Sequence, residues 1–458
     1  MKKMKRVVSL LLVMLLIGIS VSGCGNENSS NKNTSKTDDG EVQIEYWISY
    51  GSSLSSYLDE LVNAFNDEYA GKYRINMVFG GGDLELCTKI ETTDQEHLPG
   101  LVAGTPITTE YYSSMKNIVP IQKLIDEDEE DWTGDMLAGV KEAYSNRKGE
   151  MVGFPIGVGC TGYYVNVDIL KKAGHSLDEL TSYEQIVKVA KDIKAKGAAP
   201  YGISFYSNTQ EFTDAITLQG LPIYDQDNGN AGAPTKSMLS SSDTKAALKK
   251  YMELWISAFK SDAAYTFRTD LEGNVIPAFV QENIAIVGMT SSYVKRIEAY
   301  EPDFEWVFIT DPALDDSALY KDAAICQGHG AWLVDTGDER VLQGSYEFLK
   351  FLSRVENQRT WCTSTGYIPY TESAYNDAEY QDWMQSSCPY SASVKEKLSV
   401  VTEGLNRPLA ALSSAAQEAI ALMYDHIEVD LDSNLDEVIN LADESLNEAI
   451  EIDALRKK

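Results

Sequence analysis

CQGHGAWLV (326–334), SYEFLKFLSRVENQRTW (345–361) and TGYIPYTESAY (365–375) follow one another in the C-terminal third of the chain, and their order decides how the rest is read. In the first, Gly328 and Gly330 stand beside Trp332 on a short apolar run, so backbone can come close to whatever the run faces. In the second, Tyr346, Phe348, Leu349, Phe351 and Leu352 recur at helical spacing. In the third, Gly366, Tyr367 and Pro369 make a rigid turn that holds one aromatic ring. Such a turn presents a ring; it supplies no nucleophile, acid or base.

Toward the N-terminus, VQIEYWI (42–48) alternates as a strand does. Leu54, Tyr57, Leu58, Leu61, Ala64 and Phe65 then keep helical spacing, and Ile75, Met77 and Phe79 alternate again. Strand, helix and strand in this order predict a βαβ unit and a parallel sheet. Ligands of such sheets bind at the carboxyl ends of strands. That points to 47–52 and 79–83, and so to Trp47, Tyr50, Gly81 and Asp83.

The first residues form an export signal. Lys2, Lys3, Lys5 and Arg6 precede an apolar run at 7–19 that is short for a membrane span, and Val21, Ser22 and Gly23 lead into Cys24. Residues 1–23 are expected to be a lipoprotein signal peptide, Cys24 the lipidated residue, and the polar stretch 24–40 a flexible tether. Losing the four leader cations takes the formal net charge from −31 to −35, which argues against nucleic acid and against adhesion to anionic lipid. The remaining roughly 430 residues exceed one core, so two or more lobes are expected. Five further cysteines, Cys87, Cys160, Cys326, Cys362 and Cys388, show no metal spacing. They read as buried thiols, with Cys362 and Cys388 the pair best suited to a bridge.

The order of Gly-rich strand, helix, STGYIP and TESAY resembles the family 1 extracellular solute-binding proteins of carbohydrate ABC importers. Within them it is most similar to the branch that binds sn-glycerol 3-phosphate and its diesters, where a TGYLP-like turn follows the same helix. The resemblance implies an α/β, two-lobed periplasmic-binding-protein-like fold with a hinge and an interlobe ligand cleft. It also implies ABC permease membrane subunits as partners. By the same resemblance the chain changes lobe near Gly157, Val287 and Gly328. The expected N-terminal lobe is then 41–157 with 287–327, and the C-terminal lobe 158–286 with 328–458.

GYYVN (162–166) occupies the place of the family's LYYN strand and brings in Tyr163, while the usual PxTW is replaced by LTSY (180–183). GMTSSY (288–293), after IAIV (284–287), stands where the family has a GSS-type ligand loop and brings in Ser291 and Ser292. Gly328, Trp332 and Tyr367 complete the cleft set, with Trp47 and Tyr367 expected on opposite sides of the ligand. TEGLNRP (402–408) resembles the loop with which the glycerol-phosphate branch supplies an arginine, but Arg407 falls one place late. Arg407 either grips a phosphate with two parallel hydrogen bonds or pairs with a surface acid such as Glu403. The offset puts a neutral carbohydrate ahead of glycerol phosphate.

Signals for catalysis fail on context. GVGCTG (157–162) fits GxGxxG but leads into the strand pattern YYVNVDI (163–169) rather than a helix, and the resemblance makes it a hinge crossing whose glycines supply freedom in φ. Gly80, Gly81 and Gly82 lack a following Lys and Ser/Thr, which leaves either backbone N–H groups for a ligand or a plain turn. His97, His175, His329 and His426 show no paired spacing, so no metal and no cofactor are expected. Seventy carboxylates keep a secreted glycoside hydrolase open as the alternative from another class, and a surface sensor as a third. Against hydrolysis, 26 Tyr and 7 Trp outnumber 12 Phe, and rings with a hydrogen-bonding edge suit sugars.

The remainder reads as architecture: a helix over 240–260, a loop-rich insertion over 208–234, and a C-terminal helix capped by Ser433 with Asp436. The expected function is that of a membrane-anchored, extracellular, monomeric binding protein, not an enzyme. Its ligand is a sugar or, second, a glycerophosphodiester.

Overall fold

The chain's alternating and helical segments sort into two mixed sheets in the computed structural model, which describes residues 40–49, 51–206, 209–267, 270–410 and 413–456. The first sheet contains β1 (Val42–Ile48), β2 (Tyr73–Phe79), β3 (Leu101–Gly104), β4 (Ile118–Val119), β5 (Gly153–Gly159) and β10 (Gln327–Val334). Its order is β2-β1-β3-β10-β4, with β5 also on β10. The second contains β6 (Thr161–Asn166), β7 (Tyr201–Ser204), β8 (Ile284–Thr290) and β9 (Trp306–Thr310), in the order β7-β8-β6-β9.

The helix Ser52–Glu68 joins β1 to β2, which run parallel from Val42 opposite Tyr73 to Ile48 opposite Phe79. This is the βαβ unit that the spacing predicts. The sheet as a whole is not parallel, because β10 runs antiparallel to β3 and β5.

The pairings divide the lobes differently from the expected boundaries. β8 pairs with β6 and β7, so 287 is no return to the first lobe; the run Ile284–Thr290 is buried almost throughout because it is an interior strand of the second sheet. β10, placed in the second lobe by sequence, belongs to the first sheet. The chain therefore changes sheet between Gly159 and Thr161 and again between Thr310 and Gln327. A third change separates the helix Ser391–Leu398, which packs with the first core, from the helix Ser413–Val429, which packs with the second. That first core continues through Trp361, Tyr380 and Tyr390 onto Tyr164, Val287 and Phe308 on one face of the second sheet.

Glycines let the backbones meet. Gly328 has φ +137, and a Cβ there would strike the Gly157 carbonyl oxygen. Gly157, Gly159 and Gly162 have no positive φ, contrary to the expected conformational freedom. They are small because a Cβ would hit Trp361, Ser291 and the Ile309 carbonyl respectively. Trp332 lies fully buried, its ring against Gly104 and Gly153 and tilted toward Tyr112 and Tyr144. It is core.

Three further expectations change. Cys362 and Cys388 form no bridge; all five described cysteines are free and buried. Thr209–Leu218 is a helix inside the supposed loop-rich insertion. At the C-terminal helix Leu435–Arg456, the cap is Asn434, which accepts from the Asp436 N–H, whereas the Ser433 hydroxyl donates to the Asp430 carbonyl. The signal peptide, tether and Cys24 lie outside the described residues, among which no helix is long and apolar enough to cross a membrane.

Gly328→Ala is expected to lower the stability of the fold by roughly 2–4 kcal/mol, since it adds both a steric clash and a disfavoured φ. Urea unfolding checks this, with Gly82→Ala, whose Cβ would meet open space, as the mild control.

Candidate functional site

A cavity of about 460 Å³ opens where strand ends from both sheets converge. Ser49 and Gly51 follow β1, Thr105 follows β3, and Gln327, Gly328 and His329 start the antiparallel β10. From the second sheet come Thr161 at the start of β6 and Thr290 at the end of β8, followed by Ser292 and Tyr293. Tyr206, Gln210, Glu272, Arg296 and Tyr367 complete the polar and aromatic wall. The place obeys the carboxyl-end rule for β1 and β3.

Tyr367 is set by the αL glycine Gly366, φ +88, which ends the helix Val355–Thr365 and fixes the exit of the chain. Its ring lies parallel to Trp361 at 6.1 Å and edge-on to His329 at 5.8 Å. Burial pushes its hydroxyl pKa up, and the Ser292 side chain pulls the other way. Burial holds the His329 imidazole below its ordinary value; Asp83 opposes and Arg296 adds to the depression, so the ring is mostly neutral near pH 7. Arg296 donates from Nε to Glu272 at 2.6 Å, and its guanidinium lies 4.6 Å from the centre of the Tyr293 ring. The charge that it brings to the cavity is thus met within the same wall.

Of the residues singled out in sequence, Ser292, Gly328 and Tyr367 line this cavity. Asp83 lies behind it and accepts from the Ser49 hydroxyl. Trp47 is buried in the first core, donating to Glu45 at 3.0 Å with Lys89 over its ring at 3.9 Å. It does not face Tyr367 across a ligand space. Gly81, φ +109, serves a strand-to-helix turn in which the Gly82 N–H donates to the Glu85 carboxylate, and it does not line the cavity. Tyr163 is buried in the second core and donates to Glu211. Ser291 is buried as well, its carbonyl accepting from Tyr164 at 2.7 Å and Tyr390 at 2.8 Å. Tyr50 lies outside the described residues.

Arg407 reaches neither the cavity nor Glu403. It sits on the third connection and donates to first-lobe carbonyls: Pro106 at 3.4 Å, Glu142 at 3.0 Å and Ser145 at 3.1 Å. The second lobe holds the same segment, through Asn228 Nδ2 to the Asn406 carbonyl at 2.7 Å and Asn230 Nδ2 to the Arg407 carbonyl at 3.0 Å. A cation able to grip a phosphate instead fastens one lobe to a strap from the other.

Sequence reasoning missed Gln210, Glu272, Arg296 and Gln327. Arg296 had a usable signal, one turn after Ser292 in the quoted loop. Gln210 and Glu272 come from segments with no distinguishing pattern.

The geometry defines a class: a two-lobed α/β binding protein with a polar, ring-lined cavity between its sheets. The chain belongs to the bacterial extracellular solute-binding proteins, whose family model matches residues 60–386. It is 23% identical over 351 residues to the sn-glycerol-3-phosphate-binding periplasmic protein UgpB of Escherichia coli K12, covering 75% of this chain and 78% of that protein. Among solved structures, the GacH receptor of Streptomyces glaucescens, described unliganded and with acarbose, superposes with a TM-score of 0.71 at 16% identity. It covers 89% of this chain and 98% of its own. UgpB from Mycobacterium tuberculosis, in complex with glycerophosphocholine, gives 0.69 at 15% identity, with coverages of 90% and 99%.

Arg407→Ala should cost about 1.5–3 kcal/mol of stability, the range for hydrogen bonds from a charged donor, and leave the cavity wall in place. Equilibrium unfolding measures the first effect, and near-UV circular dichroism of the native state the second.

Proposed function

We propose that this protein is the extracellular substrate-binding component of an ABC importer that captures a neutral carbohydrate between its lobes and hands it to the permease. The observation that carries the reading is the charge balance of the cavity. Among the described lining residues the Arg296 cation is paired with Glu272, and the other polar side chains of the wall, Cys160 apart, are hydroxyl, amide, imidazole and tyrosine. Neutral hydroxyl-rich ligands need such donors and acceptors together with ring faces. A phosphate would have to take Arg296 from Glu272 in a chain that carries a large negative charge.

A glycerophosphodiester is the second reading. It is favoured by the presence of Arg296 in the wall and by the ligands named for the two UgpB relatives. Ser292, Gly328 and Tyr367 are proposed ligand contacts in either case. Movement of the lobes about their three connections would trap the ligand.

Thermal-shift titration with maltose, maltotriose, sn-glycerol 3-phosphate and glycerophosphocholine separates the readings, because ligand at a hundred times its Kd adds about 2.7 kcal/mol. A saccharide shift is expected. A shift confined to the phosphate compounds, and lost in Arg296→Gln, would reverse the order.

Tyr367→Ala should weaken saccharide binding by about 1–3 kcal/mol. Trp47→Ala should instead lower stability by about 3–5 kcal/mol with affinity kept in the folded fraction. Calorimetric titration paired with urea unfolding tells the two apart.

We further propose that the mature chain is lipid-anchored through Cys24, on the strength of the small residues before it and the charged and apolar segments of the leader. Cys24→Ser should shift the protein from the membrane fraction to the medium or leave an unprocessed precursor. Normal processing with unchanged membrane retention would refute the anchor.

A further inference from the structure

Behind the cavity wall lies a carboxylate that none of the preceding roles uses. Asp214, on the helix Thr209–Leu218, is 1% exposed. Its Oδ1 accepts from Gln210 Nε2 at 2.6 Å, and its Oδ2 from Thr161 Oγ1 at 3.0 Å and Gln327 Nε2 at 3.3 Å. All three donors line the cavity. They come from three places: Gln210 from the same helix, Thr161 from the first residue of the second sheet after the crossing, and Gln327 from the first residue of β10 in the first sheet. One buried group therefore holds polar cavity residues from both lobes.

We infer that Asp214 is a positioning residue for ligand recognition: as an acceptor-only carboxylate it fixes the donor and acceptor pattern that Thr161, Gln210 and Gln327 show to a hydroxyl-bearing ligand. An ionised carboxylate has no proton to give, so each glutamine must turn its NH2 group toward it and keeps Oε1 as the acceptor for other partners. Thr161 must likewise spend its proton on Asp214, which leaves its lone pairs. The wall then offers acceptors to ligand hydroxyl protons. This rests on the cleft-binding reading above and adds to it a preference for ligands that donate at this wall.

The surroundings make that pattern dependent on protonation. Asp214 is faced by Glu211 on its own helix, by Asp311 after β9, by Arg407 across a small crevice, and by the Cys160 and Cys326 thiols, while Lys397, which donates to Thr310 at 2.6 Å, acts on Asp311 and Cys160. Tyr163 and Tyr183 donate to Glu211. Burial pushes the Asp214 carboxyl up to about 7 against the pull of its three donors; Glu211 is pushed up to about 8, and Asp311 well above the ordinary range. The three carboxyls lie close enough to titrate as a coupled set, and it is the proton on Asp214 that alters the three donors. As pH falls through its value the neutral acid gains an O–H that needs an acceptor. Either Thr161 accepts it and turns its own proton elsewhere, or an amide flips. Both change what the ligand meets, so affinity should be highest above the titration and fall below it.

The test is calorimetric titration of wild type, Asp214→Asn and Glu211→Gln with maltotriose at about pH 6 and about pH 8, on either side of an Asp214 titration near neutrality. The side-chain amide resonances of Gln210 and Gln327, assigned from Gln210→Met and Gln327→Met, are followed in the same samples. Wild type should bind about tenfold more weakly at the lower pH. Asp214→Asn, which must donate toward one of the three, should be weak at both, and Glu211→Gln should keep the wild-type step. Equal affinity of Asp214→Asn and wild type at the higher pH would overturn the inference while leaving the binding reading intact. If wild type gives no heat with maltotriose, the ligand choice fails and the resonances decide. They should move between the two pH values in wild type and stay fixed in Asp214→Asn, and resonances that respond alike in both proteins overturn the positioning role. Should Asp214→Asn not fold, Gln327→Met, which removes the cross-lobe donor without touching the helix, should show the same affinity loss; unchanged affinity there also overturns it.

Discussion

The approach of β10 to β5 is the constraint on which the rest depends. Where the Gly328 backbone passes the Gly157 carbonyl there is no room for a side chain, and the register shifts between His329 and Gly330. Along one edge β10 serves two neighbours, β5 early and β4 late, while its other edge holds β3. The same strand thereby seals Trp332 into the first core at one end and brings Gln327, Gly328 and His329 to the cavity at the other. Packing and ligand access are settled by eight residues.

Polar groups are placed on the same economy. The first core runs on to one face of the second sheet, so the lobes share apolar contact on that side. Near the cavity the contact between them is made of hydrogen bonds instead. Arg407 supplies three to first-lobe carbonyls, and Asp214 gathers side chains from both lobes. Neither group is free to serve a ligand directly: the buried Asp214 relieved of its donors would carry a desolvation cost, and the half-buried Arg407 would give up three carbonyls. Each acts by holding something else.

The fold was legible where one face of a segment is apolar. β1 with its following helix, the helix Glu339–Ser353 and the turn at Gly366 all announced themselves by period or by a glycine. The helix Thr209–Leu218 did not, because Glu211, Thr213, Asp214 and Thr217 are buried along with Phe212, Ala215 and Ile216, which erases the contrast between faces. The site divided along the same line. Tyr367 sits on a turn whose chemistry is local, and its place in the cavity wall could be anticipated. Trp47 stands one residue before the end of β1, on the face it shares with the half-buried Gln43 and Glu45; alternation gives that side, but not that Glu45 and Lys89 would cover the ring there. Arg407 was chosen by motif, but a guanidinium can also be satisfied by backbone carbonyls, and only the fold determines which acceptors it meets.

The five thiols carry a consequence of their own. Each is buried, and burial pushes Cys87, Cys326 and Cys388 up to about 12 and the other two well above the ordinary value. Almost no thiolate exists at neutral pH, so alkylating and oxidising reagents find neither access nor a nucleophile. They also mark separate neighbourhoods: Cys87 behind the first sheet, Cys160 and Cys326 beside two of the lobe connections, Cys362 and Cys388 among the helices that bridge the cores. A reagent can capture each sulfur only when its own surroundings open, so the rate at which each is modified is a clock for that region's transient breathing. The native chain thus carries five internal reporters of local unfolding, with no label introduced.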